Sequence, residues 1–147
     1  MKRFQILFLL CLALSFTFSI FAQDTKEVII LQTSDVHSRI EPINQKGDLY
    51  YNKGGFVRRA AFLEEFRKDH KNVLLFDCGD ISQGTPYYNM FRGEVEIKLM
   101  NEMGYDAMTI GNHEFDFDVD NMARIFKMAD FPVVCANYNL DATVLKI

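Results

Sequence analysis

Apolar residues along the chain gather into short runs, and each run gives way abruptly to polar residues. Residues 27–33 (EVIILQT), 72–77 (NVLLFD), 106–110 (DAMTI) and 132–136 (PVVCA) have the length and content of buried strands. Between the first two, residues 35–52 are polar and glycine-containing and predict a loop. Residues 55–70 predict a helix, because Phe56, Ala60, Leu63 and Phe66 recur at three- and four-residue steps while Arg59, Glu64, Arg67 and Lys68 fall elsewhere around it. A short helix is predicted over 86–91, with Pro86 favoured in its first turn. Another is predicted over 94–103, stopping at Gly104, and a last one over 119–128. Strand, helix, strand, helices, strand, helix, strand is the alternation of an α/β layered domain with mainly parallel neighbours.

Ligands in such folds collect outside the carboxyl ends of the strands. Three polar islands fall at those ends: Asp35-Val36-His37, residues 79–84 (GDISQG), and residues 111–114 (GNHE) with Asp116 just beyond. Carboxylate, imidazole and carboxamide groups together suit a hard or borderline divalent metal. Asp35 and His37 are two apart, so an extended backbone would aim both at one ion while Val36 turns to the core. Alone, the pair equally suits a loop aspartate and a solvated histidine. Asp80 follows Gly79, whose missing Cβ permits a sharp turn, and its two oxygens can bridge two ions about 3.5–4 Å apart. Asp beside Gly is also an ordinary turn. In extended backbone, Asn112 would face a metal and His113 would face the other way, toward substrate. Asp116 can reach back to His113, fix its tautomer and stabilise the charged ring. The competing use of this acidic stretch is helix capping, which is assigned to Asp118 or Asp120 and not to Asp116.

Composition narrows the context. The chain has 147 residues and a formal net charge of −4, one ordinary domain without the basic surface of a general nucleic-acid binder. Lys2 and Arg3 precede an apolar stretch over 6–21, and Ala22 precedes Gln23 and Asp24, which predicts a signal peptide over residues 1–22 and a secreted or periplasmic protein. The stretch is short for a membrane span, which needs about 20 residues, so no stable membrane anchor is expected after cleavage. Cys78 and Cys135 lie at the ends of apolar strands, and both are expected to be buried and free.

The segments LQTSDVHSRIEP, Gly54-Gly55 with Arg58, FDCGDISQGTP, GYDAMTIGNHEFD and FPVVCANYN together resemble the calcineurin-like metallophosphoesterase superfamily. Within it they are most similar to the secreted bacterial 5′-nucleotidases. The resemblance implies an α/β fold, a sandwich of mixed β-sheets flanked by helices, of which residues 23–147 would be the N-terminal part. It implies two divalent ions (Mn, Zn, Fe or Co), with Asp35 and His37 on one, Asn112 on the other and Asp80 bridging. His113, supported by Asp116, would be the catalytic pair. The implied reaction is in-line attack of a metal-bound hydroxide on a small-molecule phosphate ester, a nucleotide rather than a nucleic acid polymer. Relatives of the same architecture act instead on cyclic nucleotides, sugar nucleotides or sulfur esters.

Two departures from the family pattern stand out. The family's centre takes further ligands from later in its chain, two histidines among them. This sequence holds three histidines in all, and His70, in a run of charges, reads as a solvated surface residue. Residues 137–147 offer no replacement, and the family's nucleotide-gripping C-terminal domain is expected to lie outside this sequence. The expectation is an active full-length parent, with this chain alone a non-catalytic or weakly metal-binding module. Asp118 stands where the family usually has glycine, implying a left-handed turn at modest local cost. Oligomeric state has no signal in the sequence.

Overall fold

The computed structural model describes residues 25–140 and 144–145, so the signal-peptide expectation for residues 1–22 lies outside the described residues. The elements are β1 (Ile29–Thr33), α1 (Phe56–Asp69), β2 (Val73–Asp77), α2 (Pro86–Phe91), α3 (Glu94–Met103), β3 (Ala107–Thr109), a 3₁₀ turn (His113–Phe115), α4 (Val119–Phe126) and β4 (Val133–Val134). The four strands form one sheet in the order β1-β2-β3-β4, and every neighbouring pair is parallel. This is the α/β architecture that the alternation predicts. Among the described residues the sheet is purely parallel rather than mixed.

Register explains why the polar islands meet. Thr33 pairs with Asp77 and Asp77 with Met108, so the carboxyl ends of β1, β2 and β3 finish side by side. One face of the sheet is closed by helices. Leu75 and Met108 on that face pack with Phe56 and Leu63 of α1 and with Ile97, Met100 and Met103 of α3. On the opposite face Ile30 and Leu74 sit side by side in solvent.

Local chemistry sets the helix ends. Pro86 opens α2, and the Thr85 hydroxyl accepts from the Tyr88 N–H at 3.4 Å. Gly104 ends α3 with φ 65°, a left-handed cap that glycine adopts without steric cost. Asp118 caps α4, its carboxylate accepting from the Asn121 N–H at 2.6 Å. Its φ of 174° is ordinary extended backbone, so the left-handed turn expected there does not form.

Two smaller expectations are corrected. His70 is half-buried, stacked on Phe66 at 4.1 Å with its Nδ1 2.9 Å from the Phe66 carbonyl. Cys78 and Cys135 are free as expected, but Cys78 is exposed and Cys135 is only half-buried, packed against the cluster of Ile110, Met122 and Leu140. No described helix is long and apolar enough to cross a membrane.

Candidate metal centre

The loops that carry the islands are bound to each other by their backbones. Beyond the last strand pair, the Cys78 N–H donates to the Thr33 carbonyl at 2.8 Å. The N–H groups of Asp35, His37 and Ser38 then donate to the carbonyls of Gly79, Asp80 and Ile81 at 3.1, 3.1 and 2.9 Å. The N–H groups of Gly79, Asp80 and Ile81 turn the other way. Gly79 donates to Asp77 Oδ1 at 2.8 Å, Asp80 to Glu114 Oε2 at 3.0 Å, and Ile81 to Glu114 Oε1 at 2.9 Å. Glu114 Oε2 also accepts from the Gly111 N–H at 2.6 Å. Every backbone donor and acceptor from Gly79 to Ile81 therefore has a partner, which fixes the turn that presents Asp80.

That frame holds strained backbone. Asp35, His37, Ser38 and Asp80 all have positive φ, at 53°, 43°, 49° and 56°. Non-glycine residues in this region cost on the order of 1–3 kcal/mol each and persist where surroundings over-determine them, commonly at functional sites. The extended geometry expected for Asp35-Val36-His37 is thus replaced by left-handed turns. Val36 still packs toward the core. Asn112 is likewise not extended: it has helical dihedrals (φ −82°, ψ −29°) and leads directly into the 3₁₀ turn of His113.

Three of the expected residues come together. His37, Asp80 and His113 each offer a ligand atom within 4.8 Å of the other two. His37 Nε2 lies 3.7 Å from Asp80 Oδ2, and the two imidazoles meet edge to face at 5.1 Å. Asp80 Oδ1 accepts from the His113 N–H at 2.9 Å, so the carboxylate is clamped on one oxygen and free on the other. His113 Nδ1 lies 2.9 Å from Asp116 Oδ2, the contact the sequence predicts. Asp35 stands outside this cluster of three, its carboxylate taken up by the Ser34 hydroxyl. Asn112 is placed beside the cluster by chain continuity with His113.

The donor set fits a divalent ion. His37 Nε2 is closed off from solvent and has no hydrogen-bond partner. A buried polar atom is ordinarily satisfied, and an imidazole nitrogen that faces a carboxylate oxygen is placed so that both can ligate one cation. Imidazole with carboxylate suits the borderline first-row metals.

Electrostatics around the cluster follow burial and contact. Asp116 raises the pKa of His113 above its usual value, against a smaller opposing effect of desolvation. Burial raises the pKa of Glu114, with its three N–H bonds opposing. Burial also raises Asp77, opposed by hydrogen bonds from Thr33 and Gly79 and by the charge of Arg59. Glu114, Asp77 and Ser38, each at most 2% exposed, carry the frame and were not singled out by sequence. Glu114 sits inside the GNHE island, and its place there was the available signal.

A parallel α/β sheet with imidazole and carboxylate donors converging at its strand ends is an arrangement able to hold a divalent ion. The chain belongs to the calcineurin-like phosphoesterase family, whose model matches residues 28–144. It is 42% identical over 118 residues to a snake venom 5′-nucleotidase of Gloydius brevicauda, an alignment covering 76% of this chain and 20% of the relative. It is 39% identical over 116 residues to the 5′-nucleotidase of Homo sapiens, again covering 76% and 20%. A crystal structure of the 5′-nucleotidase precursor from Thermus thermophilus matches with a TM-score of 0.71 and 35% identity, over 80% of this chain and 24% of that one. The chain spans about a fifth of the length of the curated relatives it matches.

Proposed function

We propose that this chain contributes to a dinuclear metal centre of a secreted or periplasmic phosphoester hydrolase of 5′-nucleotidase type. The observation that carries this reading is the buried, unpartnered Nε2 of His37 facing the free oxygen of Asp80, with His113 in reach. Asp35 and His37 would hold one ion, Asp80 would be shared, and Asn112 would serve the second. Bound divalent ions supply Lewis acidity, generating a nucleophile from water and neutralising phosphate charge.

The chain's own groups do the rest. Glu114 and the first loop hold Asp80 still through paired backbone hydrogen bonds. The Asp116 contact occupies His113 Nδ1 and favours the charged ring, leaving Nε2 to present a proton to a phosphoryl or leaving-group oxygen. A pair of this kind stabilises charge that builds up in the transition state. Nucleotide monophosphates are the substrate class suggested by the names of the relatives.

The test is phosphate release from AMP by the full-length protein with manganese or zinc, before and after chelation. Release that stops on chelation and returns with metal supports the reading. No metal-dependent release from AMP, another nucleotide or an aryl phosphate would sink it.

A further inference from the structure

A chain of donors runs from the first helix to the turn that presents Asp80. Arg59 Nη1 on α1 donates to the Tyr105 hydroxyl at 3.2 Å. The Tyr105 hydroxyl lies 2.8 Å from Thr33 Oγ1. Thr33 donates its single proton to Asp77 Oδ2 at 2.6 Å, so Tyr105 is the donor in the Tyr105–Thr33 pair. The other oxygen of Asp77 accepts from the Gly79 N–H at 2.8 Å. The side-chain donors thus all point one way, ending on a carboxylate that is 2% exposed. Aligned hydrogen bonds in a low dielectric polarise and strengthen one another.

We propose that Asp77 is a positioning residue for the Asp80 turn, oriented by a relay of Thr33 and Tyr105 that Arg59 anchors at its far end. This rests on the reading of Asp80 as a metal ligand. Asp77 touches neither metal nor substrate in this scheme. Its part is to hold Gly79 at φ 96°, the conformation from which Asp80 enters its own left-handed turn. Outer partners that orient a ligand commonly change metal affinity by about 10–100-fold when removed.

The experiment compares Thr33→Val, Thr33→Ser and Tyr105→Phe in the full-length protein. It reads hydrogen exchange of the 79–81 backbone without metal, and Mn2+ affinity by calorimetry. The relay predicts that T33V speeds exchange at Gly79 and weakens Mn2+ binding, each by about tenfold. T33S, which keeps the hydroxyl and loses the methyl, stays near the parent in both, and Y105F shifts both in the T33V direction by less. If T33S is the damaged variant and T33V is not, Thr33 serves packing and the proposal is overturned. Unchanged exchange in both T33V and Y105F overturns it as well. If the parent binds no Mn2+, the metal-site reading fails, and Gly79 exchange still decides the relay.

Discussion

Gly79 and Gly111 touch backbone to backbone: a Cβ on Gly79 would stand 2.8 Å from the Gly111 Cα. In the other direction, a Cβ on Gly111 would lie 2.8 Å from Asp80 Cγ, on top of the carboxylate. This contact between the second and third islands brings Asp80 to the backbone of His113. It also accounts for a glycine immediately before the Asn112-His113 pair.

Gly111→Ala is therefore a steric test of where Asp80 must be. Gly111 has no positive φ, so alanine adds bulk without imposing left-handed strain. The methyl group displaces either the Asp80 carboxylate or the Gly79 turn. Overpacking of this kind costs about 1–3 kcal/mol. Chemical denaturation of the full-length protein is expected to show that loss, with Mn2+ affinity falling at the same time. Full stability with full metal affinity would mean the two loops stand further apart.

Glu114→Ala strands three backbone N–H groups, those of Asp80, Ile81 and Gly111. Each unsatisfied buried donor costs about 1–3 kcal/mol, so a loss of at least about 3 kcal/mol is expected. Glu114→Gln keeps one acceptor oxygen and puts an amide NH₂ against the remaining donors, so it falls between the parent and E114A. Urea unfolding of the three proteins checks the order, and a near-neutral E114A contradicts it.

The Asp116 contact gives a pH signature. The pKa of His113 is raised above its ordinary 6.5, chiefly by the hydrogen bond to Asp116. A histidine whose folded pKa is raised contributes stability that is fully present below its unfolded pKa of about 6.5. That contribution disappears as pH rises through the folded value. Asp116→Asn is expected to lower the His113 pKa in an NMR titration. The stability gap between parent and D116N should be widest below about pH 6.5 and should close at higher pH. A gap that widens with rising pH would contradict the pairing.

The sequence carried the element order well, because the contrast between apolar runs and polar islands coincides with strand ends. Pro86, Gly104 and Asp118 mark helix limits through local chemistry alone, and the structure has those limits. What spacing could not reveal was backbone conformation. The expectation of extended chain at Asp35 and His37 fails because their N–H groups pair with the Gly79 and Asp80 carbonyls, and that pairing imposes left-handed turns. The role of Asp77 was hidden, and Glu114 was visible only as a member of the GNHE island. A carboxylate in a motif advertises a ligand, and only burial reveals that these two face backbone amides instead.

The central claim is that His37 and Asp80 converge to hold a divalent ion beside His113, and calorimetric titration of Mn2+ tests it most directly. Full-length parent protein should bind with an affinity that His37→Ala or Asp80→Asn each weakens at least about tenfold while the fold is retained. Unchanged binding in both variants, or no binding by the parent, would contradict it.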